Sequence, residues 1–185
     1  MRVLAIPGSL REGSYNVALA RAAAEYAPYG VSVELYAGLG ELPHYDADVD
    51  GEDAPASVRE LRRRIAEADA LLVVTPEYNG SIPGLLKNAI DWASRPHRGS
   101  ALWGKTTAIA GASTGSYGAL WAQNDLRRVL GIAGARLIEG ELPVAKAQER
   151  FDDAGRLVDD ALAARLHDRL TALAEAALPA VAAAA

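Results

Sequence analysis

The sequence predicts an α/β fold in which a five-stranded parallel sheet is covered by helices on both faces. Three observations carry this expectation. Short apolar runs alternate with stretches of helical periodicity five times along the chain, the order that builds a parallel sheet through crossover connections. The clearest run, Ala70-Leu71-Leu72-Val73-Val74, has no polar alternation, so both of its faces must be buried. The segments after the first, third and fourth runs are rich in Gly, Ser, Thr and Asn. In open sheets of this kind, ligands bind beyond the carboxyl ends of the strands.

Taken in order, Val3-Leu4-Ala5-Ile6 reads as the first strand, broken by Pro7-Gly8. Tyr15, Ala18, Leu19, Ala22, Ala23 and Tyr26 then recur at helical spacing. Val31-Ser32-Val33-Glu34-Leu35-Tyr36 alternates as an edge strand does. The irregular stretch 37–56 follows, and long loops in compact domains are often functional. Ser57-Val58-Arg59-Glu60 matches a capping box, which places Ser57 at a helix start. Val58, Leu61, Ile65 and Ala68 give that helix its apolar stripe. A helix over 83–93 follows the third strand. Thr106-Thr107-Ala108-Ile109-Ala110 is the fourth strand, with a helix over 117–130 after it. Ala135-Arg136-Leu137-Ile138 opens the fifth strand. Val158, Leu162, Leu166, Leu170, Leu173 and Ala177 mark the last helix, and the tail from Pro179 to Ala185 reads as a frayed end.

The 185 residues fit one domain over 1–185, half of them hydrophobic and 23% charged, an ordinary globular balance. The net charge of -5 argues against nucleic acid as a partner, because phosphates require a basic face. With no cysteine, disulfides, thiolate metal sites and Cys nucleophiles are excluded. No run reaches about 18 uncharged apolar residues, so no membrane span is expected. The first apolar run is too short for a signal peptide, and the protein is expected to be cytoplasmic. His44, His97 and His167 have no ligand spacing. Asp46-Ala47-Asp48-Val49-Asp50-Gly51 begins like a calcium loop but puts Ser57 where the bidentate Glu belongs. No metal is expected. A hydrolase is disfavoured by the lack of a G-x-S-x-G elbow.

The first polar loop, Pro7-Gly8-Ser9-Leu10-Arg11-Glu12-Gly13-Ser14-Tyr15-Asn16, joins a strand to a helix. Backbone N–H groups at a helix N-terminus attract anions. Ser9 and Ser14 add hydroxyls, Asn16 an amide and Arg11 a bidentate cation. The loop is neither a Walker A nor a G-x-G-x-x-G sequence. The second loop, Thr75-Pro76-Glu77-Tyr78-Asn79-Gly80-Ser81-Ile82-Pro83-Gly84, has a backbone path fixed by two prolines and two glycines. Tyr78 offers a flat face, and Asn79 both a donor and an acceptor. The third, Gly111-Ala112-Ser113-Thr114-Gly115-Ser116-Tyr117-Gly118, permits close approach to the backbone. Alone it is a weak signal.

Gly8-Ser9-Leu10-Arg11 with Ser14 and Asn16, followed by the run from Thr75 through Asn88-Ala89-Ile90-Asp91-Trp92, resembles the NADPH-dependent FMN reductase family, which includes quinone, chromate and azo reductases. Pro43-His44-Tyr45-Asp46 and Gly118-Ala119-Leu120-Trp121-Ala122-Gln123 are also similar to family segments. Many members carry Arg where this chain has Trp121. The resemblance implies a flavodoxin-like three-layer fold with strand order 2-1-3-4-5. It implies that Ser9, Arg11, Ser14 and Asn16 hold the FMN phosphate, with Tyr15 beside them. Pro76, Glu77, Tyr78 and Asn79 would lie along the ring, and Ser113 and Gly115 would close the site. Tyr78 and Asn79 are the candidate catalytic residues.

Two function classes follow. One is an enzyme that takes a hydride from NADPH, or NADH, onto FMN and reduces a small acceptor by a ping-pong scheme. The acceptor would be a quinone, free flavin, azo compound or chromate. The other is a flavodoxin-type electron carrier with protein partners. Arg11 and the modest net charge favour the enzyme. Backbone N–H groups of 76–79 and 113–115 are expected to meet the negative charge of the reduced ring. Arg95 and Arg98 are candidates for a 2′-phosphate. Trp92, Tyr117 and Trp121 are read as interface aromatics, and the resemblance implies a homodimer or a pair of such dimers.

Overall fold

Strand β1 (Arg2–Pro7) lies between β2 (Ser32–Leu35) and β3 (Ala70–Val74), all parallel, with Val3 opposite both Val33 and Ala70. Beyond β3 come β4 (Thr106–Ala112) and the short β5 (Arg136–Leu137), giving the order β2-β1-β3-β4-β5. The computed structural model describes residues 1–51 and 53–178. The alanine-rich tail read as a frayed end lies outside the described residues, as does Glu52 in the acidic loop.

Strand residues alternate between two apolar layers because successive side chains point to opposite faces. Val3, Ala5, Leu72, Val74 and Ala110 pack with Leu19 of α1 (Tyr15–Glu25) and Leu166 and Leu170 of α5 (Asp160–Ala177). Leu4, Ile6, Leu71, Val73 and Ile109 pack on the other face. There they meet Leu61 and Ile65 of α2 (Ala56–Glu67), Leu86 and Trp92 of α3 (Gly84–Ala93), and Leu126 and Leu130 of α4 (Leu120–Ile132). Helices on both faces and the order 2-1-3-4-5 make the fold flavodoxin-like.

Four expectations are corrected. Helix α2 begins at Ala56, so Ser57 is inside it and caps nothing. The chain turns at Pro55, whose carbonyl accepts from Val58 N (2.9 Å) and Arg59 N (3.0 Å), while Glu60 pairs forward with Arg63. The fifth strand is split. After β5 the chain leaves the ladder over 138–141 and returns as β6 (Leu142–Val144), which also pairs with β4. The carbonyls freed in the gap need donors, and two guanidinium groups supply them. Arg127 donates to Ile138 O (2.9 Å) and Gly140 O (2.8 Å), and Arg169 donates to Glu139 O and Gly140 O. Helix α4 starts at Leu120, which leaves Tyr117 in the preceding turn. Val158 precedes α5 and is exposed, because Asp159 is the cap and accepts from Leu162 N (2.9 Å).

Candidate functional site

Backbone hydrogen bonds stitch the three polar loops together at the carboxyl edge of the sheet. Gly8 N donates to Val74 O (2.8 Å), and Thr75 N donates to Ala110 O (2.9 Å). Ser113 N donates to Val144 O (3.1 Å), and Lys146 N to Gly115 O (3.0 Å). The β1, β3 and β4 loops therefore form one rim.

In the first loop, Ser14 caps α1, its hydroxyl accepting from Asn16 N (3.3 Å). The Ser9 hydroxyl accepts from Arg11 N (3.3 Å), which curls the loop around its own N–H groups. Ser9 and Ser14 are buried, whereas the Arg11 side chain is exposed and makes no ion pair among the described residues. Tyr15 packs on Phe151, ring centroids 5.9 Å apart. Asn16 has a structural role that the sequence does not show. Its amide donates to Ala112 O (3.0 Å) and accepts from Ala112 N (2.9 Å), so it is buried as a staple between α1 and the end of β4. Asn16 thus shapes the loop, and its second amide N–H is not used in these bonds.

The second loop contains a tight hairpin. Tyr78 N donates to Ser81 O (3.0 Å) and Ser81 N to Tyr78 O (3.1 Å), with Asn79 at φ 54 and Gly80 at φ 76 between them. Positive φ at both central positions is a type I′ turn, for which Asn-Gly is the favoured pair. Pro76 is buried and sets the path of the loop, while Tyr78, 50% exposed, and Asn79 present its outer edge. The Glu77 carboxylate turns away and accepts from Ala122 N in the first turn of α4 (3.2 Å). Ser81 donates to the Asp125 carboxylate (2.5 Å), whose other oxygen meets Arg128 (2.7 Å). The Ser81 hydroxyl and then Arg128 hold the Asp125 carboxyl below its ordinary range.

The third loop runs into α4 through left-handed Gly118 and Ala119. Buried Gln123 holds that turn, its side-chain amide donating to Gly118 O (2.8 Å) and its backbone N to Ala119 O (3.0 Å). The N–H groups of Tyr78 and Ser113, expected to be free for a negative charge, are bonded to Ser81 and Val144. Among the described residues, those of Asn79, Thr114 and Gly115 make no bond to protein. Tyr117 and Trp121 are 60% and 50% exposed and pack on each other at 4.6 Å. Trp92 does not join them. It is fully buried, which corrects its reading as an interface residue.

Sequence reasoning assigns Asn88 no role and Trp92 the wrong one, although both lie in the longest motif. Asn88 donates to Pro43 O (2.8 Å) and accepts from Tyr45 N (2.8 Å), and Trp92 Nε1 donates to Pro43 O (2.8 Å). The long loop is thus pinned to α3 as a fixed strap. A capping-type polar residue in mid-helix beside a Trp was the available signal. Arg95 lies over the Tyr45 ring at 5.7 Å.

The residues suit a flavin mononucleotide. The first loop is an anion cradle at the N-terminus of an eleven-residue helix, and the facing loops expose aromatic surface and free N–H groups. A Cβ on Gly111 would stand 2.7 Å from Thr75 O, so the floor between those loops admits no side chain. Fold and rim together define a flavodoxin-like flavin protein. The profile of the NADPH-dependent FMN reductase family matches residues 1–149, and the chain belongs to that family. It is 45% identical to an NAD(P)H-dependent FMN reductase of Pseudomonas aeruginosa over 94% of this chain and 93% of that protein. It is 42% identical to a 2-hydroxy-1,4-benzoquinone reductase of a Burkholderia species, over 86% of this chain and 87% of the relative. In structure it is similar to FerB, a flavoenzyme NAD(P)H:(acceptor) oxidoreductase of Paracoccus denitrificans. The TM-score is 0.82 at 37% identity, over 94% and 95% of the two chains. The chain is therefore an oxidoreductase of the flavoprotein class, with FMN as its cofactor and NAD(P)H as its reductant. Among the described residues no helix is long and apolar enough to cross a membrane.

Proposed function

We propose that this enzyme oxidises NADPH, with NADH as the alternative, and reduces a small acceptor such as a quinone, free flavin, azo compound or chromate, by a ping-pong scheme. One observation carries the reading. A single open rim bears the free N–H groups of Asn79, Thr114 and Gly115 together with the exposed rings of Tyr78, Tyr117 and Trp121. The names of the quinone-reducing relatives support a small quinone acceptor.

In this reading Ser9, Arg11, Ser14 and Asn16 hold the phosphate at the start of α1, and Tyr78, Asn79, Ser113 and Gly115 flank the ring. Bound FMN supplies the redox chemistry, accepting a hydride from the nicotinamide and returning two electrons to the acceptor. The chain orients the partners and meets negative charge with fixed N–H dipoles. No acid or base is required of it, which fits a rim without His or Cys. Donor and acceptor share the rim and must alternate. Stopped-flow mixing with NADPH alone is expected to bleach the flavin fully, and quinone added afterwards to restore it. Intersecting lines in a two-substrate steady-state analysis would overturn the scheme.

Asn79 is proposed to contact the ring as well as to form the turn, and two substitutions separate these roles. Asn79→Gly keeps a residue at ease with positive φ. It should leave the unfolding midpoint unchanged yet weaken FMN binding or slow flavin reduction about threefold to tenfold, the worth of a neutral hydrogen bond. Asn79→Ala should add a loss of stability of about 1 kcal/mol from the left-handed strain. Wild-type flavin kinetics in Asn79→Gly would reduce Asn79 to a turn residue.

A homodimer, or a pair of such dimers, with Tyr117 and Trp121 at the subunit boundary goes with this reading, as does a cytoplasmic setting where reduced nicotinamides are supplied. The solution mass at micromolar concentration checks the assembly, and a monomer would rule it out.

A further inference from the structure

We propose that Glu77, Ser81 and Asp125 are positioning residues that fasten the Tyr78–Asn79 turn to α4, so that both ring-flanking loops hang from one anchor. The proposal rests on the FMN reading of this rim. The turn is held on each flank by a different part of the same helix. On one side the Glu77 carboxylate accepts from Ala122 N (3.2 Å), and on the other Ser81 donates to Asp125 (2.5 Å). Asp125 is itself fixed by Arg128 one turn further on (2.7 Å).

The anchor is needed on both sides. Helix α4 starts from left-handed Ala119 with no side-chain cap of its own, and the first N–H groups of a helix have no partner within it. Glu77 supplies the missing acceptor from another loop. Its charge then rests against the positive end of the helix dipole instead of facing the cofactor rim. The loop 113–118 enters the same turn of α4, where Gln123 binds Gly118 O and Ala119 O. A shift of α4 would therefore move both walls together, and loss of the tethers would let the Tyr78–Asn79 turn move alone.

Apoprotein titrated with FMN, followed by quenching of flavin fluorescence, tests this. Glu77→Ala and Ser81→Ala should each weaken FMN about threefold to tenfold, and the double variant more than either. Glu77→Gln, which keeps an acceptor oxygen, and Ser81→Thr, which keeps the hydroxyl, should bind within about twofold of the wild type. Full affinity in the double variant would overturn the proposal, as would a Glu77→Gln variant as weak as Glu77→Ala. Amide hydrogen exchange of the wild-type apoprotein gives a readout that needs neither ligand nor Ala variants. The Tyr78 and Ser81 amides should exchange with the same protection as Ala122. Turn amides that exchange freely while Ala122 is protected would refute the tether. A wild-type chain that fails to bind FMN would sink the cofactor reading and leave the exchange test standing.

Discussion

Replacing Gly118 with Ala is expected to destabilise the apoprotein by about 3 kcal/mol or more, combining left-handed strain with overpacking. Gly118 has φ +60, and a Cβ there would lie 2.5 Å from Val144 N, 2.7 Å from Val144 C and 2.8 Å from Ala145 N. All three are backbone atoms with little room to yield. Val144 pairs with Ala112 in the sheet and accepts from Ser113 N, and Gly118 O is tied to Gln123. Gly80 is the control. Its φ is +76, but nothing lies within 4 Å of the added atom, so Gly80→Ala should cost only about 1 kcal/mol of strain. Urea unfolding of the two variants checks the difference, and equal midpoints would show that β6 can move away. Because 113–118 is the loop that closes the rim, Gly118→Ala should also lose FMN affinity in the fraction that folds.

The layers and the rim were legible in the sequence for simple reasons. A strand such as Ala70–Val74, apolar on both faces, fits only the middle of a parallel sheet, and topology places the loops after β1, β3 and β4 at one edge. Element starts were less legible. Ser57 and Glu60 have the spacing of a capping box, but Pro55 begins the helix two residues earlier and Arg63 takes Glu60. The break in the fifth strand depends on Arg127 and Arg169 arriving from two distant helices, which no local pattern shows. At the site, residue type disclosed polarity but not direction. Asn16 and Glu77 look like ligands because they are polar and sit in ligand loops. Their type does not show that one bonds Ala112 and the other Ala122, partners far along the chain. Asn79-Gly80 was different. Its type I′ signal is local, and it was overlooked in favour of the side chain's hydrogen-bonding capacity.

The expected result for Arg11→Ala is a loss of about 1.5–3 kcal/mol in FMN affinity, the range for a hydrogen bond to a charged group, or roughly tenfold to more than a hundredfold. The argument starts from the partners Arg11 lacks. Its side chain is exposed, reaches only the Glu12 carbonyl (3.2 Å) and pairs with no carboxylate among the described residues. The hydroxyls of Ser9 and Ser14 accept loop N–H groups and can donate their own O–H to a phosphate, but they carry no charge. That leaves the guanidinium as the one full positive charge within the loop 7–16, beside the partial charge of the helix end. Riboflavin, which has no phosphate, separates this role from general damage, since its affinity should be equal in wild type and variant. Arg11→Lys should fall between the two for FMN, keeping the charge and losing the fork. The wild-type preference for FMN over riboflavin should shrink as salt is raised, and the Arg11→Ala preference should change less. An unchanged FMN affinity would assign the phosphate to the backbone N–H groups of the loop and the N-terminus of α1 alone. An equal loss for both flavins would mean that Arg11 supports the loop and does not bind the anion.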